Sequence, residues 1–329
     1  MVQKLRQYKV ISLFIKLAIV CGCLYYIYHK IFNRSDFAGI SNELKTAFVR
    51  ISFSDIFLLF IFMFFNWSLE AVKWRMIIRH LEPLSFFKSL SAVLTGVTVS
   101  VFTPNRAGEF GGRIFFLKQE NRLQGILLTF LGNSAQLLVT ILTGALALLF
   151  YLSGYTDINE QQNPYLFFTL VIMVVLMIVV LLLAYFNVSL IGTLTRRIKF
   201  LIRFQNYIDT LDEYSGVELA KIVLLSLLRY IIFTAQFFLL LKLFNVNIHL
   251  KEGLIMIALT FFAITAVPTI TVTELGIRGS AALAFIGLLS GNSLGIVTAS
   301  FALWLINIAI PAIVGSVFVF RLDFLKKNV

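Results

Sequence analysis

The sequence predicts an all-α polytopic membrane protein with about six full transmembrane helices plus two re-entrant helical hairpins of opposite orientation. Three observations support this fold class. Hydrophobic residues make up 59% of the 329 residues and charged residues only 13%, too apolar for a soluble fold, whose exterior must be polar. Apolar stretches of membrane-spanning length recur along the chain. One charged motif occurs twice, each time beside an interrupted apolar stretch.

Six apolar stretches approach or exceed the roughly 20 residues that a transmembrane helix needs. They are residues 10–29, 55–78, 125–152, 165–187, 221–244 and 296–320. The first stretch follows basic residues but lacks a small-residue cleavage site, so we interpret it as an uncleaved span and not as a signal peptide.

Two further apolar stretches are interrupted by proline. Residues 88–120 break at Pro104, and residues 252–290 break after Pro268. Each arm has about 13 to 18 residues, which at 1.5 Å per residue mostly falls short of a full crossing. Each stretch therefore predicts a re-entrant hairpin, whose irregular tip must face protein or water.

The two hairpins belong to an internal repeat. Span 55–78 and its hairpin match span 221–244 and its hairpin, which gives repeat 1 at about 55–122 and repeat 2 at about 220–290. Three full crossings separate the two starts, so the copies have opposite orientations and their hairpin tips approach each other. The chain, 1–329, forms a single integral membrane domain.

Loop charges predict the orientation. With a cytoplasmic N-terminus, loop 153–164 lies outside and contains no Lys or Arg, whereas basic residues cluster in the inner segments 196–203 and 321–327. This distribution follows the positive-inside rule and places both termini in the cytoplasm. Segment 30–54 is the exception: it is basic yet outside, and its spacing predicts an amphipathic surface helix.

The net charge of +12 is explained by this topology better than by nucleic-acid binding, because the Lys and Arg residues lie in short loops. Anionic lipid surfaces would also attract them. Cys21 and Cys23 lie inside the first apolar stretch, and the three histidines accompany no ligand cluster. We therefore expect no metal and no other cofactor.

The repeated motif is Glu-x-Gly-x-Arg, and its two copies lie 165 residues apart. They read Glu109–Phe110–Gly111–Gly112–Arg113 and Glu274–Leu275–Gly276–Ile277–Arg278. Taken singly, each Glu and Arg would simply pair at i,i+4 and start a helix, since the acid is nearer the N-terminus. Their duplication after matching breaks instead favours a polar site near the membrane midplane.

In that site, Arg113 and Arg278 would attract phosphate through two-pronged hydrogen bonds. Glu109 and Glu274 would keep the empty site neutral or release protons. The motif glycines would let backbone or ligand approach closely. The full set of candidate substrate-binding residues is Arg113, Arg278, Glu109, Glu274, Gly111, Gly276, Pro104, Pro268, Glu70 and Gln236.

Other polar residues lie within the spans. Glu70 aligns with position 235, one residue from Gln236, in the first spans of the two repeats. Together with Asn66, Lys73 and Arg229, these residues could line a headgroup path. For Lys73, Arg75 and Arg229 we favour the alternative that their long side chains reach the membrane interface. Asn133, Ser134, Gln136 and Asn307 are assigned no role beyond bonding between helices.

Segments Thr103–Glu109 and Pro268–Arg278 resemble the transmembrane region of bacterial lysylphosphatidylglycerol synthases, the flippase-like family, and the resemblance extends from about residue 10 to 321. It implies lipid translocation between leaflets of the bacterial cytoplasmic membrane. The stretch from Pro268 to Glu274 is β-branched where the family often has glycines. The aminoacyl-transfer domain of the full synthases is missing, so lysylation is not expected.

The sequence thus predicts a flippase-like protein that moves an anionic or zwitterionic lipid headgroup, and not an enzyme. Alternatives are an intramembrane lipid-modifying transferase, a small-solute secondary transporter, and a non-catalytic partner of a cell-envelope enzyme. A homo-oligomer is also compatible with the sequence. A groove open laterally between spans would favour lipid, and a sealed central cavity would favour solute.

Overall fold

The computed structural model of the protein describes residues 51–103, 106–155, 163–187, 209–267 and 271–319. These residues form helices and short connections, and no strand occurs among them. The predicted span 10–29, most of segment 30–54, and both motif prolines, Pro104 and Pro268, lie outside the described residues.

Ten α-helices are found within these ranges. They are α1 (Phe53–Ile78), α2 (Phe86–Val101), α3 (Gly108–Ile114), α4 (Arg122–Tyr155), α5 (Pro164–Phe186), α6 (Gly216–Leu243), α7 (Leu250–Ala266), α8 (Thr271–Phe285), α9 (Ser293–Trp304) and α10 (Ile310–Val319). A π-helical turn, Leu305–Ala309, joins α9 to α10. Helices α1, α4, α5, α6 and the α9–α10 segment are each long and apolar enough to cross a membrane. They confirm five of the six predicted spans.

Local sequence explains where the two central helices begin. Ser52 caps α1 and Ser215 caps α6, each in a reciprocal box with the acid three residues later, Asp55 and Glu218. These caps satisfy backbone N–H groups that a helix leaves free at its start.

Helices α1 and α6, the first helices of the predicted repeats, pack against each other in opposite directions. Asn66 lies beside Arg229 near the midpoints of both helices. Arg79, just after α1, pairs with Glu218 in the first turn of α6. This antiparallel arrangement is what an inverted repeat requires of its first helices.

Helices α2 and α3 form one hairpin, and α7 and α8 form another. In the first, the backbone N–H of Lys118 donates to Glu82 Oε2 at 3.0 Å, so the chain enters and leaves beside the Ile78 end of α1. In the second, Asn292 Nδ2 donates to the Phe244 carbonyl at 3.0 Å, at the end of α6. Because α1 and α6 are antiparallel, the hairpin bases lie at opposite ends of the pair.

The second arm of the first hairpin is shorter than predicted. Helix α3 has 7 residues, whereas the sequence predicted an arm of about 13 to 18 residues by its apolar length. Three of the seven are glycines, and each glycine in a helix interior costs about 1 kcal/mol relative to alanine. A short helix followed by turns is the result.

Helix α2 is held closely from two sides. A Cβ added at Gly112 of α3 would lie 2.6 Å from Gly96 Cα, and one at Gly315 of α10 would lie 2.2 Å from the Leu94 carbonyl oxygen. Small residues let helix backbones approach in this way. Helix α9 packs against α6 and α8, whereas α10 packs against α2, so the last span contacts both repeats.

Candidate functional site

A cavity of about 280 Å³ lies where the tips of both hairpins meet α1, α4 and α6. Its charged and amide lining consists of Asn66, Arg106, Gln136, Arg229, Arg278 and Asn307. An adjoining recess of about 640 Å³ shares Arg106, Gln136 and Arg229 and extends to Glu109 and to the end of α7. Since Asn66 and Arg229 lie near the midpoints of their helices, the cavity lies at mid-depth in the bundle.

Three guanidinium groups line this cavity, and they come from both repeats. Arg106 follows the tip of the first hairpin, Arg229 lies in α6, and Arg278 lies in α8. Arg106 has a backbone φ of 56°, a left-handed conformation that few non-glycine residues adopt. Its side chain interacts electrostatically with Glu274 and Arg229 and forms no hydrogen bond or ion pair with any residue in the described part of the chain.

Arg229 is fixed by several partners. Its Nη1 pairs with Glu70, and its Nε donates to Asn66 Oδ1 at 3.1 Å. Its guanidinium carbon lies 5.5 Å from the Trp67 ring centroid, a cation–π distance. Arg229 is therefore held at the cavity wall in one orientation.

Glu70 is the centre of a buried charge network. It is 1% exposed and pairs with Arg113 at 2.9 Å, with Lys73 at 2.7 Å and with Arg229. Three helices, α1, α3 and α6, are thereby joined through one carboxylate. Buried charges are stable only when paired and hydrogen-bonded in this way.

The interpretation of Lys73 and Arg229 as interface-reaching side chains was wrong. Lys73 is 1% exposed and also donates to the Gly132 carbonyl at 3.2 Å, and Arg229 has a half-buried position at the cavity. Glu70 supplies the counter-charge that draws both side chains inward. Arg75, the third of that group, is exposed.

The first motif pair forms as predicted, but its arginine does not reach the cavity. Arg113 donates to Glu109 and to Glu70, and its side chain is 1% exposed. Glu109 lines the recess. The predicted role of Arg113 in binding phosphate directly is therefore corrected: the side chain joins the first hairpin to the charge network instead.

The second motif pair also forms and is placed differently. Arg278 donates through Nε and Nη2 to Glu274 Oε1, at 2.8 and 2.6 Å, and lines the cavity. Glu274 is 3% exposed, and its Oε2 has no hydrogen-bond partner among the residues that the structure describes. A buried carboxylate oxygen without a donor can accept a proton or a donor group.

Of the motif glycines, Gly112 is the one at which backbones approach. A Cβ at Gly111 would meet nothing within 4 Å, so no backbone approaches Gly111, and the alternative prediction of a ligand there stays a prediction. The two glycines lie on different sides of α3, and it is Gly112 that faces Gly96 of α2. Gly276 is buried within α8.

Glu70 and Gln236 are behind the cavity wall and do not line it. Gln236 is 0% exposed and donates to the Leu59 carbonyl at 3.0 Å. Its Oε1 accepts from Asn307 Nδ2 at 2.8 Å, and Asn307 in turn accepts from Asn66. This chain of amides ends at Arg229, so Gln236, like Glu70, supports a cavity residue.

Sequence reasoning missed Arg106, Gln136 and Asn307 as cavity residues, whereas Asn66, named with Glu70 on a candidate headgroup path, does line the cavity. Arg106 carried a usable signal, because a charged residue next to an intramembrane break marks a functional site. Gln136 and Asn307 carried none, since only the packing of distant helices brings them to Arg229 and Asn66.

The site has a surplus of positive charge. Within the described residues, five cationic side chains surround it, Lys73, Arg106, Arg113, Arg229 and Arg278, against three carboxylates, Glu70, Glu109 and Glu274. Five minus three leaves two formal positive charges. Such a surplus inside a low-dielectric bundle favours the entry of an anion.

In comparisons with known proteins, the chain matches the profile of one family. The profile described as the lysylphosphatidylglycerol synthase TM region matches residues 13–315. No curated protein and no solved structure matches the chain.

Proposed function

The chain belongs to the family of the lysylphosphatidylglycerol synthase transmembrane region, and we propose that it is a flippase-like protein that moves a phospholipid or lipid-linked headgroup between leaflets. Membership of this family and five apolar helices of spanning length make it a lipid-related, multi-pass membrane protein. Transport, and not chemical modification of the lipid, is the activity we assign.

The surplus of two positive charges at mid-depth in the bundle is the observation that carries this proposal. Charged groups at that depth are costly and therefore mark the path of a substrate. Membrane lipids with phosphate headgroups supply the opposite charge. The cavity binds the headgroup while the hydrocarbon tails stay in the bilayer.

The two hairpins control access to the cavity. We assign them as re-entrant from opposite sides of the bilayer, in agreement with their bases at opposite ends of the α1–α6 pair. Small movements of one hairpin against the other would open the cavity to each leaflet in turn, as in transporters built from inverted repeats. We assign the protein to a bacterial cytoplasmic membrane with both termini in the cytoplasm, the orientation that the loop charges favour.

Three arginines bind the headgroup: Arg106, Arg229 and Arg278. Glu70 and Arg113 hold the first hairpin and α6 in position around them. The free oxygen of Glu274 accepts a proton or a hydroxyl of the headgroup. Gradients or the membrane potential drive the movement.

Reconstitution tests this function. Purified protein in vesicles with fluorescent phospholipids should make inner-leaflet label accessible to an external quencher much faster than in protein-free vesicles. Arg278→Ala should reduce this rate, and Arg75→Ala, at an exposed arginine outside the cavity, should leave it unchanged. Equal rates with and without protein would refute lipid movement. Release of an entrapped soluble anion at the same rate as lipid would favour a solute transporter.

A further inference from the structure

We infer that the lipid carries a phosphate monoester and that its hydrocarbon chain leaves the cavity along an apolar groove between α4 and α5. This inference rests on the proposed function and specifies its substrate. It combines two independent features, the charge of the cavity and the lining residues that the groove shares with the recess beside the cavity.

The charge of the cavity selects the headgroup. A phosphate monoester carries about 1.5 to 2 negative charges near pH 7, which matches the surplus of two positive charges among the described residues. A phosphodiester carries one negative charge and would leave the site cationic. A lipid esterified with a basic amino acid has a net positive headgroup and would increase the surplus.

The carboxylates of the site are already engaged by protein cations. Glu70 pairs with three of them, and Glu109 pairs with Arg113. Glu274 has one oxygen on Arg278 and one buried oxygen without a partner. That free oxygen can accept a hydrogen bond from the proton that a phosphate monoester retains, or from a hydroxyl group of the lipid. An ammonium group there would meet Arg106, Arg229 and Arg278 nearby.

The guanidinium groups offer more donors than a diester needs. The guanidinium group of Arg106 has no hydrogen-bond partner among the described residues. Each arginine has five N–H donors, and a monoester presents three free oxygens where a diester presents two. Three arginines around one cavity therefore suit the phosphate of a monoester better than the phosphate of a diester.

A hydrophobic groove of about 370 Å³ adjoins the site. Apolar residues of α4 and α5 form most of its wall, including Leu131, Leu138, Ile141, Leu181 and Ala184. Phe130, Ser134 and Leu137 line both this groove and the charged recess. A molecule with a phosphate at one end and a hydrocarbon chain at the other fits a charged recess beside an apolar groove, because its apolar chain is favoured in apolar surroundings and its phosphate is not.

A panel of headgroups tests the charge argument. In the vesicle assay, phosphatidic acid should move fastest. Phosphatidylglycerol should move at least about tenfold more slowly, because charge-assisted hydrogen bonds are lost. Phosphatidylcholine and lysyl-phosphatidylglycerol should move most slowly. Movement of lysyl-phosphatidylglycerol or phosphatidylglycerol at the rate of phosphatidic acid or faster would overturn the monoester assignment and leave lipid transport intact. If no lipid moves, the proposed function fails, and equilibrium binding of the same lipids in detergent still decides the headgroup preference.

A change in groove volume tests the path of the chain. Ala184 is exposed and lines the groove, so Ala184→Phe fills it with little effect on folding. Val180→Phe, on the same helix and 60% exposed, is the matched control, since Val180 does not line the groove. Affinity for alkyl phosphates in detergent should rise with chain length in the natural protein and in Val180→Phe, and this dependence should disappear in Ala184→Phe.

Inorganic phosphate distinguishes a lipid from a soluble ligand. It should bind far more weakly than a long-chain alkyl phosphate, and Ala184→Phe should not change its affinity. Equal affinities for inorganic phosphate and the alkyl phosphate, or an unchanged chain-length dependence in Ala184→Phe, would overturn the groove as the path of the chain.

Discussion

The two Glu-x-Gly-x-Arg segments have the same pattern and different environments. In the first, Arg113 is 1% exposed and forms ion pairs with both Glu109 and Glu70. In the second, Arg278 has Glu274 alone as its ion-pair partner within the described residues and faces the cavity. The first pair is part of a network across three helices, whereas the second is a local pair with one carboxylate oxygen left free.

The difference originates in the first helix of each repeat. Predicted repeat 1 has Glu70 in α1, and predicted repeat 2 has the neutral Gln236 near the matching place in α6. Glu70 provides a second carboxylate for Arg113, while Gln236 bonds to Leu59 and Asn307 and leaves Arg278 without one. The presence of Glu70 therefore explains why Arg113 supports the fold while Arg278 is available to a ligand.

The largest expected effect comes from Glu70→Ala. Removal of this carboxylate leaves Arg113 and Lys73 buried with a counter-charge lost, which should destabilise the protein by about 3–5 kcal/mol. Thermal unfolding in detergent measures this loss. Glu120→Ala, at an exposed acid outside the network, is the control, and equal melting temperatures for the two variants would show that the network does not support the fold.

A smaller effect is expected from Gly112→Ala. The new Cβ would lie 2.6 Å from Gly96 Cα, and overpacking of this kind costs about 1–3 kcal/mol. Gly111→Ala, one residue away in open space, should be neutral or slightly stabilising because alanine favours helix. The same unfolding assay compares the two variants. A greater loss of stability in Gly111→Ala than in Gly112→Ala would contradict the packing of α3 on α2.

Glu274→Gln should have the smallest effect on stability and a selective effect on transport. The amide keeps the size of the side chain and can still accept from Arg278 through its oxygen, but it removes the charge of the pair and leaves a buried NH2 group without an acceptor among the described residues. We expect a loss of about 1 kcal/mol, the lower end for a buried group without a partner. Lipid movement should fall several-fold and lose any dependence on a pH gradient, because the free acidic oxygen is gone. Unchanged transport in vesicles, with and without the gradient, would remove Glu274 from the mechanism.

Much of the fold and part of the site could be predicted from local sequence. Apolar length predicted five described spans, and i,i+4 spacing predicted both motif pairs. These features depend on neighbouring residues alone. The partners of Glu70 depend instead on contacts with Arg113 and Arg229, 43 and 159 positions away, which a single sequence does not reveal.

Two other misses have the same origin. Lys73 and Arg229 were interpreted as interface residues because long cationic side chains within spans commonly extend to the interface. Lys73 pairs instead with Glu70 three residues away in α1, and only the packing of α1 on α6 brings Arg229 to the same carboxylate. The choice between Gly111 and Gly112 depends on which side of α3 faces α2, and the glycine-rich α3 shows no hydrophobic side that would indicate it.

The π-helical turn Leu305–Ala309 divides the last span into two segments with different neighbours. Its wider winding changes the direction in which the following side chains point, so α9 rests on the second repeat and α10, through Gly315, on the first. Asn307, within that turn, is bonded to Gln236 and Asn66. Any movement of α9 relative to α10 would therefore act at Asn307, and its amide contacts would transmit that movement through Asn66 to Arg229.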